Sequence, residues 1–449
     1  MEKTITYSSC ASLVALGVRF QQMGIWPVIA EHVHIQQKVL KHKPLEKLLD
    51  CFINMLAGGS GLVEINTLVR PNRSVQRAFG RERCAEQSTV SDTLDACTAT
   101  TVEQMRAALK VILHQHSGCC AHDYEQQWQL LDVDVTGLPA GRQGEGVTKG
   151  YFAHQKNRRG RQLGRVLATH YDEIIVERLY TGKRQLDHSL CELVEATEAL
   201  LDLTKPQQKR TILRIDAGGG DDHNINWILE RDYHLLIKAR NWRRAEKLAA
   251  SVTQWSADPK LPEREVGWVE QPHRYARATR QVALRKRKAN GKWSYHVLVF
   301  TLSDEMLFEL CAQPMPPTPQ ALDLLLAAVH AYDLRSGGLE TQNKGDKQGL
   351  ALAHRNKSDF AAQEMLVLLA QLAHDLLIWT RNDLAQVDAR FQHWGILRLV
   401  RDVLQIAGRV CLNAQGHVEH IVLNELHPFA AAFQKAFARH DLSLVLGKI

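Results

Sequence analysis

Asp134 and Asp216 each stand at or near the C-terminal end of a strand-like run, LLDVDVTGL and TILRIDAGGG. Glu340 follows Gly337-Gly338 and opens a helical stretch that also carries Lys344 and Lys347. Open α/β sheets place their chemistry at the carboxyl ends of strands. Two strand-borne aspartates and a helix-borne glutamate form a hard-oxygen set suited to Mg²⁺ or Mn²⁺, which prefer carboxylate, water and phosphate oxygens. Phosphodiester chemistry fits such a set. With two ions about 3.5–4 Å apart, one activates a water or 3′-hydroxyl and the other stabilises the leaving oxygen. Arg335, as a bidentate fork, and Lys347, as a point charge, would bind the bordering phosphates. Asp132 faces the same side of its strand as Asp134 and remains a rival to it.

These residues need a sheet and a helix to hold them. Leu131, Val133 and Val135 alternate with Asp132, Asp134 and Thr136 in the two-residue period of a strand. Strand-like runs follow at 164–169 and 173–180, then a helix at 189–203, the strand before Asp216, a helix at 224–230 and a strand at 233–239. That order predicts a mixed α/β sheet with helices on its faces. Further on, QVALRKRKANGKWSYHVLVF reads as two strands joined by the hairpin pair Asn290-Gly291. Helical periodicity over 44–56 and 102–113 leads us to expect an all-helical region over residues 1–116, with Ser88 or Ser91 as a cap. Helices are expected again over 321–332 and 360–379, whereas the tail from Trp394 has no readable site.

The chain carries 56 Lys and Arg against 49 Asp and Glu over 449 residues, and the net charge of +7 mildly favours a polyanionic partner. At 45% hydrophobic and 23% charged, it is neither collagen-like nor wholly disordered. Without a run of about 18 apolar residues or a secretory leader pattern, it is expected to be intracellular and to have no membrane partner. Nine irregularly spaced cysteines argue against a disulfide framework.

LDVDVTG, RIDAGGGDD and YDLRSGGLETQNKGDK together resemble the three catalytic blocks of bacterial insertion-sequence DDE transposases. The matching branch is marked by Tyr, two residues, Arg, three residues, Glu, six residues and Lys. Tyr332, Arg335, Glu340 and Lys347 fill those places, but four residues separate Arg335 from Glu340, which suggests a bulge at the two glycines. The resemblance implies an α/β, RNase H-like mixed-sheet catalytic core with a β-rich insertion and an all-helical N-terminal DNA-binding region. The expected parts are that region at 1–116, core at 117–240, insertion at 241–321, core with the catalytic Glu at 322–384, and a C-terminal region at 385–449 serving oligomerisation. The 124 positions between Asp216 and Glu340 agree with an insertion.

It further implies that Asp134, beside Thr136, joins Asp216 and Glu340 in holding two Mg²⁺ or Mn²⁺ ions. The activity would be metal-assisted cleavage at the terminal inverted repeats of the element, followed by joining of the 3′-hydroxyl ends to target double-stranded DNA. A synaptic homodimer on the nucleoid, in a bacterial cytoplasm, is the expected setting. An insertion-domain aromatic that holds a flipped base is part of the same resemblance, with Trp242, Trp268 and Trp293 as candidates.

Basic segments point the same way. Lys156, Arg158, Arg159, Arg161 and Arg165 fall in an acid-free stretch after the first aspartate strand, and would track DNA phosphates. From Arg274 to Lys292 there are eight Lys or Arg and no acid. On a hairpin, Arg285 and Arg287 share one face, and Lys286 and Lys288 the other. Arg70, Arg73, Arg77, Arg81 and Arg83 are further phosphate contacts, with a helix-turn-helix around 88–94. His114, His116, Cys119, Cys120 and His122 lack the spacing of a structural zinc site, and no Lys-Ser/Thr follows Gly218-Gly219-Gly220 as in a P-loop. Asp221 and Asp222 read as helix caps. Two rivals stand: a catalytically silent, domesticated transposase acting as a DNA-binding regulator, and a nuclease with no joining step.

Overall fold

The computed structural model describes residues 4–39, 41–152, 155, 157–440 and 442–449. Its strands are β1 (Thr4–Ser8), β2 (Gln129–Pro139), β3 (Thr148–Lys149), β4 (Arg159–Ala168), β5 (Glu173–Thr181), β6 (Thr211–Ile215), β7 (His234–Lys238), β8 (Ser256–Asp258), β9 (Leu261–Trp268), β10 (Arg280–Arg287), β11 (Trp293–Phe300), β12 (Gly408–Leu412), β13 (Val418–Asn424) and β14 (Leu444–Gly447). They divide between two compact units, one of Gly118–Leu138 with Thr148–Thr341, the other of Met1–Ser117, Pro139–Val147 and Gln342–Ile449.

The first of these is built on a ten-stranded mixed sheet of order β3-β4-β2-β6-β7-β11-β10-β9-β8, with β5 paired to β4. β2, β6 and β7 run parallel. Parallel neighbours require crossovers, and helices Leu186–Leu201 and Asp222–Glu230 supply them. Beyond β7 the sheet continues antiparallel through β11, β10 and β9, so the β-rich segment extends the sheet that holds the aspartates. Its hairpin closes at Asn290-Gly291, where Gly291 takes φ +76°. Glycine adopts that backbone without strain.

The strand pleat sorts side chains between two layers. Leu131, Val133, Leu213, Ile215, Leu235 and Ile237 pack with Leu190, Leu193, Ile225 and Ile228 on one face. Leu130, Ile212, Leu236, Leu298 and Phe300 pack on the other, against Leu325, Ala328 and Val329 of helix Ala321–Arg335. Asp132, Asp134, Arg214, Asp216 and Lys238 therefore fall in register on this second side.

The other unit combines helices, among them Pro44–Leu56, Gln87–Asp95, Ala99–His116 and Phe360–Ala385, with a sheet of order β1-β12-β13-β14. An all-helical N-terminal region is thus corrected. Thr4–Ser8 is a strand, paired with β12 through Ile5↔Cys411 and Tyr7↔Arg409. Neither Ser88 nor Ser91 caps a helix, because Gln87–Asp95 begins ahead of both and Glu86 stands at its N-cap. Helix Phe360–Ala385 is long and apolar enough to cross a membrane, yet 89% of its apolar window is buried inside the protein.

Candidate active site

Pairing of Val133 with Ile215 leaves Asp134 and Asp216 as the next residue on each of two adjacent parallel strands. Each carboxylate is steadied by the backbone. Asp134 Oδ1 accepts the Val135 N–H at 2.8 Å and Asp216 Oδ1 accepts the Gly218 N–H at 2.7 Å. The loop after Asp216 passes so close to β7 that a Cβ on Gly220 would lie 2.0 Å from the Lys238 carbonyl oxygen, so only glycine fits there. Asp221 does cap the following helix, accepting the Asn224 N–H at 3.0 Å, and Asp222 pairs with Arg244.

Glu340 arrives by a change of helical pitch. Helix Ala321–Arg335 runs directly into a π-helix at Ser336–Glu340, then into helix Thr341–Gly349. In an uninterrupted α-helix, residues five apart point about 140° away from each other. The wider i→i+5 turn brings Arg335 and Glu340 to one side. The expected bulge at Gly337-Gly338 is this π-turn, and it accounts for the four-residue gap. Leu339 pins it to the sheet by packing against Leu167 and Ile174.

Arg335 lies between two of the three carboxylates. Its Nη2 is 3.0 Å from Asp134 Oδ2, and its Nη1 donates to Glu340 Oε1 at 3.3 Å. Burial raises the Asp134 carboxyl well above the usual carboxylate range, the Asp216 and Glu340 charges push it further, and Arg335 pulls it down. Burial also lowers the Arg335 guanidinium, but the Asp134 and Asp216 charges outweigh it and the net shift is upward. Tyr332 meets the same field: burial raises its phenol, with Asp216 and Asp134 adding to the effect.

The rival aspartate has a different occupation. Asp132 is fully buried and forked by Arg214, Nε to Oδ1 at 2.6 Å and Nη2 to Oδ2 at 2.7 Å, with the Thr169 hydroxyl donating at 2.9 Å. Arg214 Nη1 donates to the Ala331 carbonyl at 2.7 Å. This buried pair ties helix Ala321–Arg335, and so Arg335 and Tyr332, to the strands.

Lys238, at the end of β7, gives no signal in the sequence, because one cation ending an apolar strand carries no motif. Burial lowers its ammonium, while Asp216 and Asp333 pull it back up. It lines a cavity of about 250 Å³ with Arg264, Lys286, His296, Tyr332 and Asp333, floored by Leu284 and Leu298. Lys347 lies seven residues beyond Glu340 in helix Thr341–Gly349, in the other unit.

The basic residues separate by burial. Arg158 is exposed and Arg159 half-buried, while Arg161 is 1% exposed and Arg165 forms a buried pair with Glu177. Neither of the last two presents its charge to a phosphate here, because β4 is covered on both faces beyond its first residue, Arg159. Lys156 lies outside the described residues. Arg285 pairs with Glu265 between the rings of Trp255 and Trp293, 4.2 and 4.6 Å from their centroids. Arg287 is exposed beyond it, 5.4 Å from Trp293. Of the three candidate tryptophans, Trp242 is 65% exposed, whereas Trp268 donates to the Ala321 carbonyl.

In the other unit, Arg70, Arg73, Arg77 and Arg83 line a groove of about 520 Å³ together with Lys41. Lys38 continues it into an adjoining groove of about 330 Å³. Arg81 belongs to the fold instead. It is 4% exposed, with Nε on Asp50 Oδ1 at 2.8 Å and Nη1 3.2 Å from Glu46. Breaking a buried pair leaves an uncompensated charge, so Arg81→Met should cost about 3–5 kcal/mol. Denaturant melts of the full chain check this; unchanged stability would return Arg81 to the surface contacts. Of the histidines and cysteines around residue 120, His122 bonds to the Tyr171 hydroxyl and to the Gln127 carbonyl, and Cys119 accepts from the Gln129 amide. Among the described residues no group of three His, Cys, Asp or Glu is close enough to hold a metal ion.

No curated relative matches this sequence. Among solved structures, it is similar to a piggyBac transposase synaptic complex with hairpin DNA, determined by cryo-EM, at 13% identity and a TM-score of 0.44, covering 90% of this chain and 83% of that one. The sequence profile described as "Transposase DDE domain group 1" matches residues 5–443. That match takes in all three acidic blocks, and with it the chain belongs to the DDE-domain transposases of group 1.

Proposed function

We propose that this protein is the transposase of a bacterial insertion sequence, in the branch with the Tyr-Arg-Glu-Lys signature, which cuts the terminal inverted repeats of its element and joins their 3′-hydroxyl ends to target DNA. The observation that carries the reading is the placement of Asp134 and Asp216 at one end of a parallel strand pair, with Glu340 joined to Asp134 through the Arg335 guanidinium. The arrangement β5-β4-β2-β6-β7, antiparallel at β5 and β4 and parallel from β2 onward, supports an RNase H-like core.

The donor set fits Mg²⁺ or Mn²⁺ in its chemistry, since all three side chains are hard-oxygen carboxylates and two of them, Asp134 and Glu340, already flank one cation. Asp134, Asp216 and Glu340 would hold two such ions, which supply a polarised nucleophile and charge stabilisation at the leaving oxygen. Tyr332 and Arg335 hold the phosphates on either side of the scissile one. Arg158, Arg159 and Arg287 track the strand, Trp242 offers an open face for stacking a base, and a homodimer pairs the two element ends.

The groove holding Arg70, Arg73 and Arg83 takes duplex backbone at the element end. Each lost phosphate contact lowers the salt dependence of binding by about 0.9 in log–log slope, so replacing all three with Ala should reduce it by about 2.7. Titrating binding to an element end at several salt concentrations checks this; an unchanged slope removes the groove from the interface.

The function itself is tested with a duplex carrying the inverted repeats that flank the gene, in Mg²⁺. Cleavage leaving 3′-hydroxyl ends, then joined product, is expected. Binding without cutting would favour the silent regulator, and cutting without joining the plain nuclease.

A further inference from the structure

We propose that Arg335 is a resident counter-ion, occupying the place of a cation between Asp134 and Glu340 until a divalent ion takes that place and a DNA phosphate receives the guanidinium. The proposal rests on the reading of those carboxylates as metal ligands, and adds that their metal affinity is set by competition with a side chain of the same protein.

Four observations carry it. The guanidinium spans the oxygens an ion would need, Asp134 Oδ2 at 3.0 Å and Glu340 Oε1 at 3.3 Å. It is poorly satisfied there, since its buried Nε and Nη2 have no hydrogen-bond partner in this arrangement and the 3.0 Å approach to Asp134 is a contact of charges alone. Buried donors without acceptors are costly, so a phosphate offering two aligned oxygens is a better partner. Among the described residues, the three carboxylates do not form a chelating group in this arrangement. Finally, Glu340 is 57% exposed and ends a π-turn containing two glycines, so it can close on an ion without dismantling packed core.

Charge follows the exchange. With the guanidinium in place, one positive charge faces Asp134 and Glu340. A divalent ion replaces it with two, and the displaced arginine carries its own charge to the incoming phosphate. The protein therefore holds metal weakly by itself and more tightly once DNA gives Arg335 somewhere to go.

Calorimetric titration of Mn²⁺ into the full-length protein without DNA tests this without reference to activity. Arg335→Gln keeps a planar group able to bond Glu340 but removes the charge, and should bind Mn²⁺ at least about tenfold more tightly than wild type. Arg335→Lys, whose compact ammonium cannot fork two carboxylates, should fall between them and serves if the glutamine variant does not fold. Asp134→Asn should remove the tight binding in every background. If wild type binds Mn²⁺ and neither variant binds it more tightly, the counter-ion role is overturned while the metal site stands. If no variant binds Mn²⁺ through Asp134, both fall. A merely structural arginine would weaken binding when removed.

Discussion

Asp216→Asn and Glu340→Gln should each abolish Mg²⁺-dependent cleavage, lowering it by orders of magnitude, while leaving the protein folded and bound to element ends. The amide keeps the volume of the carboxylate and removes the charge a divalent ion needs. At Asp216 the Oδ1 that accepts the Gly218 N–H survives as an amide oxygen, so the loop into helix Asp222–Glu230 keeps its anchor. At Glu340 the side chain is mostly in solvent, and the π-turn is held by Leu339 instead. Single-turnover cleavage assays with melting curves on the same preparations separate chemistry from stability. Full cleavage by either variant would remove it from the active site.

Asp132→Asn should do the opposite, costing stability first. Arg214 loses its paired charge inside the sheet, at a cost of about 3–5 kcal/mol, and the melting temperature should fall by about 10 °C. Because Arg214 also holds the Ala331 carbonyl, the helix bearing Tyr332 and Arg335 loosens too, and cleavage declines as a consequence of misplacement. Arg214→Met should show the same loss. An Asp132→Asn protein that melts like wild type but no longer cuts would exchange the roles of Asp132 and Asp134.

The choice between those aspartates was beyond the reach of sequence. A two-residue strand period puts both on one face, and only the position of Arg214 on the neighbouring strand, 82 residues later, distinguishes them. The strands themselves were legible because alternation is a local signal, as was the hairpin at Asn290-Gly291. The π-turn was legible as a spacing anomaly beside two glycines. Burial of individual arginines was not: Arg158, Arg159, Arg161 and Arg165 read as one basic run, and the cover over both faces of β4 beyond its first residue decides which of them are withdrawn. Arg81 reads like its neighbours Arg77 and Arg83, and Asp50 and Glu46, both on helix Pro44–Leu56, withdraw it from the surface. Long-range pairing decides each of these cases, and no window along the chain contains it.

The pairing of β1 with β12 also imposes an order on biosynthesis. Thr6 bonds to the Val410 carbonyl across 404 positions of sequence. At about 5–20 residues per second, a ribosome that has released β1 takes about 20–80 s more to make its partner. Through that interval the alternating segment TITYS has no native mate, while the ten-stranded sheet, made entirely of residues synthesised before β12, already has all its strands. A message cut short before Gly408 would therefore yield chains with the aspartate-bearing strands intact and an unpaired, aggregation-prone edge at the other end.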